Sequence, residues 1–460
     1  MTNPLGCLMT GVPAGPLPGH VEQALRDGLA GIIVFSRNVE DAPQLTALTR
    51  RVRELSPRAL IAVDEEGGGA SHLAPAGVPA QPGHLALGAL GDPDLTRRVA
   101  YDIASALAGL GINADFAPCA DVNTNPDNPV IGARSFGSDP DTAARHVRAF
   151  VAGMQARGVA ACVKHFPGHG DTAADSHLAL PAGTPELTPF TGTGAAMMMS
   201  AHVTYPGLAD EPATLSRRVL TDLARGELGY DGVIVTDALE MRAIADRSGY
   251  AEASARALTA GADLILIGLP PGRDELTAVT GALAACPASR LAEAARRVAA
   301  LAETYAGPSP EPAPDGHAGR AVAAALAARQ SGAGQGPPVL KPGAFVVDLR
   351  FPNPGYRTES PGLADLLRLR DRTAAGRAFD RPPENLDGLL AEIPAASQLL
   401  ITARDPHRVP WIAAALDRLR AARPDAIVIS TGLPGEGTLN AYGPSPVMLS
   451  ALLDLMLETE

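Results

Sequence analysis

Eight short apolar runs alternate with amphipathic stretches rich in alanine, leucine and arginine, and this alternation restricts the fold more than any other feature of the chain. The apolar runs, which we interpret as β-strands, are residues 5–9, 31–35, 59–63, 112–118, 160–166, 195–201, 232–236 and 262–268. Strands that alternate with helices are typical of a parallel α/β fold. Eight such units favour a closed (β/α)8 (TIM) barrel over an open sheet.

Polar side chains with reactive groups follow five of the predicted strands. They are Asp64, Asp121, Lys164, His165, His202 and Asp237. Active sites of this barrel type lie at the C-terminal ends of the strands, so we expect these side chains to meet in one cavity. Each residue alone is equally compatible with a helix cap or a buried hydrogen bond, but five such strand ends favour a site. Residues 11–15 lack the glycine spacing of a dinucleotide-binding loop, and we predict no cofactor.

The composition changes after residue 306, where a proline- and glycine-rich stretch begins. We therefore predict three parts: a catalytic barrel domain at 1–306, a linker at 307–342 and a small α/β domain at 343–460. The linker contains one alanine-rich helix at 319–330. In the last part, apolar runs at 344–349, 398–402 and 426–430 predict short strands separated by helices.

Charge and cysteine content exclude several classes of partner. With 38 basic and 50 acidic residues, a net charge of −12 and only 4% aromatic residues, the chain lacks the footprint of a nucleic-acid-binding protein. We therefore expect a small substrate that is uncharged or weakly acidic. The four cysteines lie far apart, which predicts buried, reduced thiols and no zinc knuckle or disulfide scaffold.

We predict a cytoplasmic protein that has no membrane partner. No uninterrupted apolar segment reaches the roughly 18 residues that a membrane span needs. Residues 1–7 superficially resemble a lipoprotein cleavage site, but a positively charged start and a long apolar stretch are both missing. The sequence leaves the oligomeric state open.

The densest concentration of candidate chemistry lies at residues 164–177, which hold three of the ten histidines and one of the only two lysines. Lys164 and His165 stand at a predicted strand end and are candidate ligands for substrate oxygens. Asp175 and His177 lie two residues apart in a glycine-rich loop, where the carboxylate can orient the imidazole as a general acid/base. Asp237 closes a predicted strand, and such a rigidly held carboxylate suits a nucleophile.

One carboxylate nucleophile and one separate proton donor match glycosyl transfer by double displacement, with a histidine as the unusual donor. Groups that bind sugar hydroxyls are then needed nearby. Asp64, Arg134, Lys164 and His165 are polar residues near predicted strand ends that suit this role.

These residues lie within motifs that resemble glycoside hydrolase family 3, specifically its β-N-acetylglucosaminidase branch. The matching stretches occur in the family's order at residues 33–38, 64–68, 125–132, 134–137, 164–177 and 235–241. The resemblance implies a barrel followed by a C-terminal α/β sandwich, and a retaining enzyme that acts on cell-wall or chitin-derived fragments, as in peptidoglycan recycling. It makes Asp237 the nucleophile, His177 the acid/base and Asp175 its orienting partner, with a covalent glycosyl-enzyme intermediate. It also implies that the sugar hydroxyls are bound by Asp64, Arg134, Lys164 and His165.

The chain departs from the family pattern in two places. Residues 69–72 replace the arginine or other polar residues that members commonly carry there, so contacts to the sugar or aglycone are expected to differ. Residues 178–194 contain three prolines, which predicts an abbreviated or irregular fifth barrel helix and a looser loop around His177. The C-terminal domain is short for two-domain members, and the sequence leaves open whether it contributes to the site.

Three alternatives to the hydrolase remain open. One is a phosphorylase, because a neutral histidine does not repel phosphate from the glycosyl-enzyme. Another is a non-catalytic sugar-binding barrel, to which the shortened fifth helix would point. The last is a metal-dependent hydrolase, since histidine and aspartate at strand ends can bind zinc. The first predicted strand lacks a His-x-His pair, and we predict no metal.

Overall fold

Eight parallel strands form the first sheet of the structure, a computed structural model that describes residues 2–307, 316–331, 337–351, 361–435 and 437–457. The strands are Leu8–Gly11 (β1), Gly31–Val34 (β2), Leu60–Val63 (β3), Ala114–Asp115 (β4), Ala160–Phe166 (β5), Met197–Ser200 (β6), Val233–Thr236 (β7) and Ile265–Ile267 (β8). They pair in the order β7-β6-β5-β4-β3-β2-β1-β8, and a bridge between Val235 and Leu264 brings the two edges together. The predicted (β/α)8 barrel is therefore confirmed.

Helices surround this barrel on the outside. They are Gly19–Arg26 (α1), Ala42–Leu55 (α2), His84–Leu90 (α3), Pro93–Gly109 (α4), Pro140–Ala156 (α5), Arg242–Ala245 (α6), Tyr250–Ala260 (α7), Arg273–Ala284 (α8) and Ala288–Thr304 (α9), with a π-helix at Arg218–Glu227. The side chains of Asp41, Asp92 and Asp139 cap α2, α4 and α5, each accepting from a backbone N–H of the first turn. A proline in the first two helical positions accompanies each cap, a combination that favours helix initiation.

The barrel is irregular where the sequence predicted irregularity. Residues 167–196 are all described, and between β5 and β6 they contain only a short 3-10 turn at Thr188–Phe190. The expectation of an abbreviated fifth helix is thus correct. The fourth strand is shorter than the predicted run at 112–118. Hydrogen bonds to both neighbouring strands continue beyond it, from Phe116 N to Val63 O and from Cys162 N to Ala117 O, before Pro118, which has no N–H to donate.

A second parallel sheet follows, built from Phe345–Leu349 (β9), Ala375–Phe379 (β10), Leu399–Ala403 (β11), Ile427–Ser430 (β12) and Leu439–Asn440 (β13) in the order β10-β9-β11-β12-β13. Its helices are Leu363–Arg368 (α11), Leu386–Glu392 (α12), Pro410–Ala422 (α13) and Pro446–Leu457 (α14). Val346 packs in one apolar cluster with α11 and α14, whereas Val347 packs in another with α12 and α13. The sheet is therefore covered on both faces, which confirms the smaller α/β sandwich domain.

The helix His317–Ser331 (α10) lies between the two sheets in sequence, and Val322 belongs to the apolar cluster that joins the barrel helices to α14. Much of the predicted linker, residues 308–315 and 332–336, lies outside the described residues, and the three domain limits stay a prediction. In the described parts of the chain, every helix is too short or too polar to span a bilayer.

Candidate active site

One cavity of about 300 Å³ opens at the C-terminal ends of the barrel strands. Six of the seven predicted site residues line it: Asp64, Arg134, Lys164, His165, His177 and Asp237. Asp175, the seventh, lies behind His177 and contacts it directly. All lining residues belong to the barrel, and Tyr442 and Gly443 of the second domain border a small crevice that Arg134 also lines.

Two cations and two carboxylates form a buried cluster on the side of the cavity near β3 and β5. The Lys164 Nζ lies 2.6 Å from Asp64 Oδ1 and 2.7 Å from Glu66 Oε1. Arg134 donates two hydrogen bonds to Glu66, at 3.0 Å from Nε and 2.7 Å from a terminal nitrogen. This fork geometry fixes both side chains, because guanidinium and carboxylate are planar and match in a bidentate pair.

The opposite charges in this cluster stabilise the ionised forms of their neighbours. Burial alone would raise the pKa of Glu66, but Arg134 and Lys164 hold it well below its usual range. Burial also opposes the charge on Lys164, yet Asp64 and Glu66 raise the pKa of that ammonium above its ordinary value. Glu66, Lys164 and Arg134 therefore stay ionised, and the cluster offers fixed hydrogen-bond donors and acceptors to the cavity.

His165 is oriented by Asp121, a residue that the sequence placed at a strand end without a role. The ring Nδ1 lies 2.6 Å from Asp121 Oδ2, and the backbone N–H of His169 donates to the other carboxylate oxygen at 2.6 Å. Burial would raise the pKa of Asp121, but the neighbouring His165 outweighs it and the pKa falls to about 2. An ionised Asp121 can only accept, so Nδ1 of His165 carries the hydrogen of this bond.

Asp175 and His177 form the pair that their spacing predicted. The Asp175 Oδ1 accepts hydrogen bonds from both the Nδ1 of His177, at 2.7 Å, and its backbone N–H, at 2.8 Å. Burial would raise the pKa of Asp175, but the hydrogen bonds and charge of His177 lower it, so the carboxylate is ionised. The His177 side chain is 33% exposed and can exchange protons with solvent through its other nitrogen.

The loop that carries this pair is anchored without a helix. Asn128 donates to the carbonyl oxygens of His169 and Thr172, at 2.8 and 3.1 Å, and the Tyr205 hydroxyl donates to Gly168 O at 2.6 Å. A backbone hydrogen bond of 3.3 Å from Ala243 N to Ser176 O ties the loop to α6. The missing helix therefore does not leave His177 on an unattached segment, contrary to our expectation of a looser loop.

Asp237 stands at the end of β7, and its Oδ1 accepts the N–H of Ala238 at 2.7 Å. Burial would raise its pKa, but three surrounding histidines, His202, His165 and His177, lower it below the ordinary carboxyl value. An ionised carboxylate in this position can act as a nucleophile. His202 is held by Thr214 Oγ1 and by the carbonyl oxygen of Ala238, at 2.8 and 3.0 Å, so it supports the loop that carries Asp237.

Two cavity carboxylates were missed by sequence reasoning. Glu66 lies within a recognised motif, and its spacing of two from Asp64 was the available signal. Glu240 follows Asp237 by three residues, accepts the N–H of Gly268 at 2.9 Å, and has a pKa raised by burial. Glu240 also lies within a recognised motif, residues 235–241, and its spacing of three from Asp237 was the available signal.

Cys119, Asp121 and His165 are the described residues grouped closely enough to hold a metal ion. The thiol of Cys119 instead donates to Asp121 at 3.2 Å, and burial raises its pKa well above the usual value. A metal ligand needs the thiolate, so this group fits a hydrogen-bonded support for His165 better than a metal site.

Comparison with known proteins agrees with this geometry. Residues 20–301 match the family model described as "Glycosyl hydrolase family 3 N terminal domain". The chain is 37% identical over 283 residues to a β-hexosaminidase of Bordetella avium, covering 57% of this chain and 81% of that protein. A solved glycoside hydrolase family 3 β-N-acetylglucosaminidase from Paenibacillus superposes with a TM-score of 0.86 at 31% identity, covering 99% of this chain and 96% of its own.

A β-N-acetylhexosaminidase structure from Beutenbergia cavernae is 29% identical, with a TM-score of 0.60, and covers 66% of this chain and 98% of its own. The similarity to the Paenibacillus structure extends over both domains, whereas the family model covers the barrel that carries the site. The chain is a member of glycoside hydrolase family 3, and it is a glycoside hydrolase whose substrate is a carbohydrate.

Proposed function

We propose that this protein is a retaining exo-β-N-acetylglucosaminidase that removes terminal β-linked N-acetylglucosamine from cell-wall or chitin-derived oligosaccharides. The observation that carries the proposal is the placement of His177, oriented by Asp175, in the same cavity as Asp237. The activities named for the Bordetella and Paenibacillus relatives support an amino-sugar substrate.

The first chemical step forms a glycosyl ester. The Asp237 carboxylate attacks the anomeric carbon while the protonated His177 gives its Nε2 proton to the glycosidic oxygen, and the C–O bond to the aglycone breaks. In the second step His177 takes a proton from water, whose oxygen attacks the anomeric carbon and releases the Asp237 carboxylate. Two inversions leave the product with the β-configuration of the substrate.

The buried cluster of Lys164, Glu66, Asp64 and Arg134 binds the hydroxyls of the non-reducing sugar. Lys164 and Glu66 are 2% and 3% exposed, so the cavity ends at this cluster and has no room for a preceding sugar. A chain end can enter and an internal unit cannot, which accounts for exo action.

Kinetics with nitrophenyl glycosides test this proposal. We expect kcat/KM for the β-N-acetylglucosaminide to exceed that for the β-glucoside, and we expect the β-anomer as the first product in proton NMR spectra. Preference for the glucoside, or an α-anomeric first product, would contradict it.

Histidine as the acid/base also favours a second candidate, a β-N-acetylglucosaminide phosphorylase. A carboxylate base would repel an incoming phosphate, whereas the neutral His177 in the second step carries no negative charge. Turnover that rises with phosphate concentration, together with release of the sugar 1-phosphate, would identify the phosphorylase. Rates that do not depend on phosphate would identify the hydrolase.

Replacing Asp175 with asparagine is expected to lower kcat by roughly 10²-fold, because the amide retains the hydrogen bonds to His177 but loses the charge that stabilises its protonated form. The loss should be smaller on a dinitrophenyl glycoside, whose leaving group needs little protonation. Asp171→Asn, a change to an exposed carboxylate of the same loop, is the matched control. Equal losses on good and poor leaving groups would exclude a role through proton donation.

A further inference from the structure

Glu240 is a second carboxylate of the cavity that the mechanism above does not use. It follows Asp237 by three residues, in the loop after β7. The backbone N–H of Gly268, at the end of β8, donates to its Oε2 at 2.9 Å, and Leu269 provides a further backbone hydrogen bond. Backbone groups of a neighbouring strand end therefore fix this carboxylate in position.

The space next to Glu240 is small and partly apolar. A Cβ atom placed on Gly268 would lie 2.5 Å from Glu240 Oε1, 3.4 Å from the Phe35 ring and 3.5 Å from the Ala238 Cβ. Gly268, Phe35 and Ala238 all line the cavity. This corner thus presents the Glu240 carboxylate beside two apolar groups, and the Arg37 guanidinium lies over the Phe35 ring, 4.4 Å from its centre.

The corner is formed by residues that follow β2, β7 and β8, whereas the residues of the buried cluster follow β3 and β4 or belong to β5. A pyranose whose anomeric carbon reaches Asp237, and whose outer hydroxyls reach Lys164 and Asp64, has its C2 substituent beside Asp237. An acetamido group at C2 carries an N–H donor and a methyl group, and it therefore matches one acceptor beside apolar side chains.

We propose that the Glu240 carboxylate accepts the N–H of the substrate's 2-acetamido group, while Phe35 and Ala238 contact its methyl group, so that Glu240 determines the preference for N-acetylated sugars. This inference rests on the proposed β-N-acetylglucosaminidase function. It adds the residue responsible for the amino-sugar specificity.

The test is the ratio of kcat/KM for nitrophenyl N-acetylglucosaminide to that for nitrophenyl glucoside. In Glu240→Gln the amide oxygen can keep the Gly268 hydrogen bond, which turns the NH2 group toward the substrate N–H. Two donors then face each other, and we expect the ratio to fall about tenfold or more. Glu252→Gln makes the same change on the exposed face of α7 and should leave the ratio unaltered.

A second variant displaces the Glu240 carboxylate without changing its chemistry. Gly268→Ala places a methyl group against Glu240 Oε1, which must move because the contact of 2.5 Å is too short. We expect the same fall in the ratio, with the thermal midpoint close to that of the wild type.

The outcomes separate the two proposals. A wild type that prefers the glucoside contradicts the proposed function itself. A wild type that prefers the N-acetylglucosaminide, with that preference surviving in both variants or with both substrates losing activity equally, contradicts only the role of Glu240.

Discussion

Replacing Asp237 with asparagine should lower kcat by roughly four orders of magnitude or more on every substrate, because the amide cannot form the glycosyl ester. The asparagine side chain has the same shape and its oxygen can still accept the N–H of Ala238. The barrel should therefore stay folded and substrate binding should persist. Activity measured with a nitrophenyl N-acetylglucosaminide tests the loss of kcat, and the thermal midpoint tests whether the barrel stays folded.

The matched control for this change is Asp246→Asn, which alters an exposed carboxylate nine residues further along the chain. Its activity should equal that of the wild type. If Asp237→Asn kept more than about a hundredth of the wild-type kcat, the nucleophile would have to be another group, such as Glu240.

Replacing Lys164 with methionine should destabilise the protein by about 3–5 kcal/mol and abolish measurable turnover. The side chain is 2% exposed and joins Asp64 to Glu66, so its loss removes the ion pair of the partly exposed Asp64 and leaves the buried Glu66 paired with Arg134. The same substitution removes an ammonium donor from the sugar hydroxyls. Chemical denaturation measures the stability, and equilibrium binding of N-acetylglucosamine measures the lost contact.

The chain supplies its own control, because Lys341 is the only other lysine and it is exposed a few residues before β9. Lys341→Met should change the free energy of unfolding by less than about 0.5 kcal/mol. A Lys164→Met variant as stable as Lys341→Met would show that the buried cluster does not depend on the ammonium group.

Much of the site could be predicted because its residues stand at strand ends. Lys164, His165, Asp64 and Asp237 follow predicted strands, and barrel closure brings strand ends together whatever their separation in sequence. The pairing of Asp175 with His177 is local, and a spacing of two residues is enough to indicate it.

The remaining contacts depend on tertiary structure that no local pattern encodes. Glu66 meets Arg134 across 68 residues of sequence, and Asp121 meets His165 across 44. His202, which was expected in the reactive set, bonds to Thr214 and Ala238 and is buried below the cavity. The anchoring of the His177 loop by Asn128 and Tyr205 likewise required the fold, since the local sequence indicated only that a helix was missing.

The most direct test of the proposed mechanism is covalent trapping with a fluorinated N-acetylglucosaminide, followed by mass spectrometry of the intact protein and of its peptides. Fluorine slows hydrolysis of the glycosyl ester, so the intermediate should accumulate. We expect one sugar per protein, attached to the peptide that contains Asp237, and no adduct in Asp237→Asn. An adduct on another residue, or tight binding without any adduct, would contradict the assignment of Asp237 as the nucleophile.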